Sequence, residues 1–408
     1  MDWWTGTIDE ARMTDAYAND DLMSGQAWAE LCDSLRQASD VVLRPDVPGA
    51  PLDRAEGFRH LLALVHIGIG QALDRSDPFW PSFGQTSRTD IFKWGLDCPD
   101  SAYRGTAIRG DLTYRITGTV GTVRYLSFQV NEGMRNHGNL RGDQLTLDTD
   151  GGFELWVGPD KHDGDWLRTP AEADAIIVRQ FFYDWDREAP ATLSIELAGG
   201  AERPTEPDDG NTPVPDRVAR QLRAVGRWLN ANAQFWADIE IQGQASCRNA
   251  FQPATAKPES GGAEENVNGW GHYDLGPDEA MIIEVRPAVA HYWSLHLGNF
   301  WWESLDYASH QTSLNGHQAI LDDDGVFRAV LAHRDPGVPN WLDTMGHQMG
   351  PMLFRWVLPD VVPEPVCTVV PHDDIRQHLP ERTPVVDAAT RAEHLSRRRA
   401  HVLRRFAC

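Results

Sequence analysis

Paired cysteines are missing from this chain. Its five cysteines, Cys32, Cys98, Cys247, Cys367 and Cys408, are scattered over 408 residues and never adopt a C-x-x-C spacing. That excludes a disulfide framework and a zinc knuckle, and it suits a reducing compartment. Positive charge is also scarce: 37 Lys and Arg stand against 60 Asp and Glu, a formal net charge of -23. The average surface therefore repels phosphate backbones and anionic headgroups, and nucleic acid is set aside as a partner. Long apolar runs are missing too. The longest, Leu61 to Gly70, contains His66 and is about half the length a bilayer span needs. The acidic N-terminus has no basic stretch leading into an apolar one. A soluble cytoplasmic protein without a membrane partner is the expectation.

The usual chemical fingerprints are absent as well. There is no Walker loop and no G-x-S-x-G elbow, and Gly68 to Gly70 lies in a predicted helix without a third glycine, so nucleotide hydrolysis, dinucleotide redox and serine-hydrolase chemistry lose their sequence support. The 15 histidines form no H-E-x-x-H or facial-triad spacing. Only convergence in three dimensions of His296, His310, His317, His333 and His347 would make a metal site, so neither a metal nor an organic cofactor is expected.

What is present is globular: 41% hydrophobic and 24% charged residues, with length for two domains. Apolar residues at Trp28, Leu31, Cys32, Leu35, Ala38 and Val42 predict a helix. Asp53 and Glu56 resemble a capping box opening a second helix, with Phe58, Leu61, Leu62, Val65, Ile69 and Leu73 inward. From 81 to 200 the pattern changes to alternating strands, with an Asp-Gly hairpin at 148–152. Residues 201–237 read as an acidic Pro- and Gly-rich linker followed by a bridging helix capped by Asp216. Residues 238–365 are again strand-like, starting at ADIEIQG and including a second Asp-Gly hairpin at Asp324 and Gly325. Gln252 to Asn268 reads as a loop of lid or insertion type. The 366–408 extension ends in a helix starting at Asp387, with Leu395, Val402, Leu403 and Phe406 on one side. Its Arg391, Arg397, Arg398, Arg399, Arg404 and Arg405 form a basic run, read as a solvated face or a tether. The fold expected is mainly β with helical additions: a helical segment over 1–80, two antiparallel jelly-roll-like β-sandwich domains, a bridging helix and a C-terminal helix. Two β-rich halves, each preceded by helix, hint at duplication.

The least ordinary stretch is Ala288 to Asn315, which sets Tyr292, Trp293, Phe300, Trp301, Trp302 and Tyr307 among His291, His296, His310, Glu303 and Asp306. Such a segment either plugs a core or walls a pocket. On a strand, Tyr292, Ser294 and His296 share one face and His291, Trp293 and Leu295 the other.

This stretch, the DDDG hairpin, Asn340-Trp341-Leu342 and Arg355 together resemble the bacterial domain-of-unknown-function family 1214. CPDSAY at Cys98 to Tyr103 is similar to the N-P-D-x-x-Y feature of the partner family 1254, with Cys98 where that family has Asn. The resemblance implies paired jelly-roll-like β domains and no settled reaction.

The residues themselves suggest His296 with Tyr292, and Glu303 or Asp306, as acid–base groups. Trp293, Trp301, Trp302, Tyr307, Trp341 and Arg355 are the candidate substrate contacts. The expected activity is a lyase, isomerase or hydrolase acting on an apolar or ring-bearing small molecule, a terpenoid, steroid or aromatic, in an aromatic-lined cavity of the second domain. The alternatives are a non-catalytic binder of sugar or hydrophobic rings, and a structural protein whose Trp residues plug the core. Oligomerisation is left open.

Overall fold

The computed structural model describes residues 20–73, 77–85, 91–198, 213–256, 263 and 265–406. Residues 199–212 of the linker expected over Gly199 to Asp216, part of the expected lid loop and Cys408 lie outside these residues. A helical pair comes first, α1 (Gln26–Val42) and α2 (Pro51–Leu73). Both pack through small residues: α1 buries Ala27, Ala38, Val41 and Val42, and α2 buries Gly57, Ala63, Leu64, Ile67 and Gly68. Of the expected stripes, Ala38 and Val42 are buried and Leu61 and Val65 pack against the core, but the bulkiest members turn outward, leaving Trp28 61%, Phe58 44% and Leu62 71% exposed. The reason is close helix approach. A Cβ at Gly68 would stand 2.6 Å from the Trp228 ring, and one at Gly57 2.6 Å from Trp301, so bulk belongs to the partner rather than to the helix face.

The first lobe comprises β1 (Gly84–Gln85), β2 (Ser101–Ala107), β3 (Tyr114–Thr119), β4 (Tyr125–Glu132), β5 (Arg135–Arg141), β6 (Gly152–Gly158), β7 (Asp165–Arg168), β8 (Ala175–Phe181) and β9 (Thr192–Leu197). They form one sheet in the order β1-β2-β8-β4-β5 and another in the order β7-β6-β3-β9. Leu126, Phe128, Ile176 and Val178 of one sheet meet Ile116, Phe153 and Leu155 of the other in the sandwich core. This is the alternation that strands covered on one face by a second sheet require.

Helix α3 (Pro215–Ser246) then bridges to the second lobe, with Pro215 at the start, where its missing N–H costs nothing. It absorbs ADIEIQG, which was expected to be a strand: Trp236, Ile239, Glu240 and Gly243 recur at helical spacing and face Trp302 and His272. The second lobe holds β10 (Ala250–Phe251), β11 (Asn266–Asp274), β12 (Glu279–Val285), β13 (Tyr292–Leu297), β14 (Ser313–Asn315), β15 (Phe327–Ala332), β16 (Trp341–Asp343), β17 (Met349–Val357) and β18 (Val366–Pro371). Its sheets run β10-β11-β17-β13-β14 and β16-β15-β12-β18.

Each strand of the second lobe thus repeats the one nine places earlier, and the parallel strand pairing of β6 with β7 repeats in that of β15 with β16. The register matches residue by residue. Tyr103, Arg179 and Ser127 stand in one row of the first lobe, and Asn268, Arg355 and Ser294 in the same row of the second. Y-L-S at 125–127 answers Y-W-S at 292–294, and D-W-L at 165–167 answers N-W-L at 340–342. The chain is a duplicated β-sandwich pair. The lobes meet through the outer faces of equivalent sheets, where Tyr125 and Phe181 touch Tyr292 and Val357.

The chain ends in α4 (Ala388–Arg405), opened by Asp387, whose side chain accepts from the Thr390 N–H. Val402 and Phe406 of the expected apolar set are buried, but Leu403 is 58% exposed, and Arg391, Arg398 and Arg405 are buried beside them. Arg398 donates to the Tyr307 carbonyl and the Ser313 hydroxyl, and its guanidinium lies 4.7 Å from the Trp185 ring. Half of the basic run is therefore internal, a set of fixed donors that stitches α4 to both lobes. Among the described residues no helix is long and apolar enough to cross a membrane.

Candidate functional site

The aromatic segment fills space rather than enclosing it. Trp293, alternating inward with Leu295 and Leu297, belongs to the core of the second sandwich. Beyond β13 the chain turns sharply: Trp302 takes φ 58, its carbonyl accepts from the Leu96 N–H at 2.6 Å, and the Asn299 side chain accepts from the N–H groups of Trp301 and Glu303. Trp301 slots into the notch at Gly57 and donates to the Asp53 carbonyl. Trp302 stacks on Trp236 at 5.1 Å and donates to Glu240 at 3.0 Å. An indole seated against a glycine, or stacked with its N–H satisfied, is a core plug. Trp341 is another, donating to the Ala332 carbonyl. The space beside Asn340 is about 10 Å³, room for one water. The N-W-L turn is held by Asn340, which bridges Ile320 and Arg328.

The remaining expected residues fall into two groups. Tyr292, His296 and Arg355 lie on the outward face of the second lobe's sheet, towards the first lobe. Tyr292 donates to Asp100 at 2.7 Å, as its counterpart Tyr125 donates to Glu265 at 3.0 Å. His296 is buried beside the Leu96 carbonyl, and burial together with the charge of Arg355 pushes its pKa down to about 3. It is a neutral imidazole at pH 7.

Glu303 and Asp306 instead line a cleft of about 310 Å³ where α2, the aromatic segment and α4 meet, at the small end of the range for metabolite pockets. Its walls are charged. Glu56 of α2 accepts from His347 Nε2 at 2.8 Å, and His347 Nδ1 donates to the Thr344 carbonyl. With both ring nitrogens facing acceptors the imidazolium is favoured: burial opposes it, but Glu56, the Thr344 carbonyl and Asp53 together outweigh burial and the pKa is raised. Asn299 Nδ2 links Glu56 at 3.2 Å to Glu303 at 3.3 Å, and Glu303 in turn accepts from His60 Nδ1 at 3.0 Å. Burial opposes the charged form of Asp306, yet the Ser309 and Ala308 N–H groups and Lys93 hold its pKa below the usual range. Arg59 and Arg399 complete the rim.

Lys93 is the deepest cation here, 5% exposed. It donates to the carbonyls of Ser304 and Leu305 at 2.6 and 2.7 Å and lies 4.7 Å from the centre of the Tyr307 ring, which places Tyr307 beneath the cleft. Burial pulls its pKa down against the charges of Asp97, Asp306 and Glu303. Beside it, burial pushes Asp97 up to about 6, opposed by Lys93 and by the N–H and O–H of Ser304.

Sequence reasoning passed over Lys93, Glu56, Arg59 and Asn299. Lys93 stands as a lone cation inside I-F-K-W-G-L at 91–96, but a lysine is rarely buried unless paired, and the Ser304 and Leu305 carbonyls that pair it lie some two hundred residues away in the chain. Of the five histidines considered for a metal, only His347 reaches the cleft. His310 pairs with Asp343 and His333 with Thr344. Among the described residues no three His, Cys, Asp or Glu side chains are placed to hold a metal ion.

Among solved structures, an uncharacterized protein from Burkholderia cenocepacia is similar to this chain, with 32% identity over 87% of this chain and 99% of that one and a TM-score of 0.81. A Vibrio parahaemolyticus protein matches at 10% identity over 81% of this chain and 100% of its own, with a TM-score of 0.44. No family model and no curated protein matches.

Proposed function

The chain belongs to the same family as the Burkholderia cenocepacia protein, and from its charged cleft we propose that it is an enzyme moving a proton on a small polar metabolite. The observation that carries this reading is a buried lysine, depressed by its surroundings, on a cleft also lined by Glu303, Asp306 and a Glu56-bound His347. Opposed titratable groups whose environments pull them apart are what acid–base chemistry near pH 7 needs. Lys93 is the base, its neutral amine made accessible by desolvation. Glu303, held in place by His60 Nδ1, supports the charge that Lys93 takes on with the proton. Arg59 and Arg399 bind an anionic substituent, which moves the substrate class away from the apolar ring that the aromatic content suggests. The resemblance to families 1214 and 1254 fits a two-lobed scaffold of this order and adds no reaction.

The test is a library of small polar metabolites incubated with the full-length protein and read by mass spectrometry. Lys93→Met is expected to lower turnover by about 100-fold or more, the usual weight of a general base. Asp324→Asn, on the remote exposed hairpin, leaves it unchanged. A non-catalytic binding protein is the second reading, favoured by the way Glu56 and Glu303 are satisfied by His347 and His60 within the protein. Stoichiometric binding without product would decide for it.

A further inference from the structure

We infer that the face between the two lobes around Arg355 is a second ligand site, built for a small carboxylate that also carries a hydroxyl. Arg355 lies deep between the sheets, donates to the Tyr103 hydroxyl at 3.2 Å and stands 5.3 Å from the Phe181 ring. Its Nε has no partner, and it makes no ion pair among the described residues. The nearby carboxylates are engaged elsewhere. Glu265 accepts from Tyr125 and Asn139, and Asp100 from Tyr292, Trp185 and Asn315. A guanidinium buried without an anion is strongly unfavourable. Arg179, at the equivalent position of the first lobe, adds a second positive charge that Arg355 feels across the interface.

The polar atoms left over converge on the same patch. Asn268 stands directly across the ladder from Arg355, Asn266 is two residues away on the same face, and His296 is two residues beyond Ser294, the other neighbour of Arg355. In a sheet these steps are about 4.8 and 6.6 Å, so the group spans little more than one small molecule. Among the described residues Asn266 Oδ1, Asn268 Oδ1 and His296 Nδ1 are buried without a partner, as is Asn139 Oδ1 on the facing sheet. With His296 Nε2 turned to the Leu96 carbonyl, Nδ1 is left as an acceptor. One cation and a ring of acceptors match an anion that also donates protons, which a hydroxycarboxylate does and a simple anion does not. Nothing in this depends on chemistry in the cleft, and the test involves no turnover.

The full-length protein is titrated with L-malate, succinate and inorganic phosphate, followed by thermal unfolding and calorimetry. L-malate is expected to raise the melting temperature saturably and to bind roughly ten-fold more tightly than succinate, the worth of one well-made buried hydrogen bond. Asn268→Asp, which gives Arg355 an internal carboxylate, is expected to raise the melting temperature of the free protein and abolish the malate response. His296→Leu, close in volume and without an acceptor, keeps the carboxylate response and narrows the preference for malate over succinate. No response to any of the three compounds overturns the proposal. So does phosphate matching malate, a malate response surviving Asn268→Asp, or an unchanged preference in His296→Leu.

Discussion

A single glycine shows how tightly this molecule is assembled. Replacing a helix-interior glycine with alanine ordinarily gains about 0.5–1 kcal/mol, but at Gly57 the new methyl would stand 2.6 Å from the Trp301 ring and 2.8 Å from Val42. Overpacking costs about 1–3 kcal/mol, so Gly57→Ala is expected to lower stability on balance, as urea denaturation can measure; a gain would mean that Trp301 yields easily. His296 makes a second prediction. Its folded pKa of about 3 lies below the unfolded value near 6.5, so on acidification the unfolded chain takes up the proton first. The stability that neutral His296 allows is present above pH 6.5 and lost as pH falls from there towards 3. His296→Gln, which installs the residue found at the equivalent Gln129, is expected to flatten that slope in unfolding midpoints measured across pH. An unchanged slope would place the ring in water.

At the scale of elements, α4 separates charge that holds the fold from charge that decorates it. Arg398 reaches a backbone carbonyl and a hydroxyl in a buried setting, whereas Arg397 pairs with Glu393 in solvent. Arg398→Met is expected to cost about 1.5–3 kcal/mol through lost charge-assisted bonds, and Arg397→Met close to nothing, in parallel chemical denaturation. Equal losses would contradict the division. The sequence showed α4's start at Asp387, because a cap is a local contact, and Val402 and Phe406 of its inner face, but not the buried arginines, because arginines seven apart spread over the same run as exposed ones. The helical pair misled for a related reason: small residues were chosen for close approach and the largest apolar ones were left outside. Alternation revealed β3, β4, β6, β8 and β9. It could not reveal β5, whose R-N-H-G-N-L-R is polar because it sits at the sheet edge.

The whole molecule is organised by repetition, and each tyrosine of the Y-x-S pair reaches the other lobe's carboxylate. Tyr125→Phe and Tyr292→Phe are each expected to destabilise by about 1–3 kcal/mol, since one leaves the half-buried Glu265 and the other the buried Asp100 short of a donor; thermal unfolding of the single variants and the double checks this, and two silent variants would detach the lobes energetically. Duplication could be suspected from the sequence, but the repeat shows only in short tracts, so the pairing of Arg179 with Arg355 needed the fold. The candidate site was legible by half: Glu303 and Asp306 from their setting among rings, but not Glu56, which arrives from a helix nearly 250 residues earlier in the chain. The account rests on Lys93 being a depressed amine open to the cleft, and competitive acylation of the full-length protein across pH, with Lys93 followed by peptide mass spectrometry, reads that directly. The expected result is a labelling midpoint below that of ordinary lysines, moving lower still in Glu303→Gln, which removes a carboxylate that supports the charge. A midpoint at or above the ordinary lysine value, or a Lys93 that no reagent reaches, would contradict it.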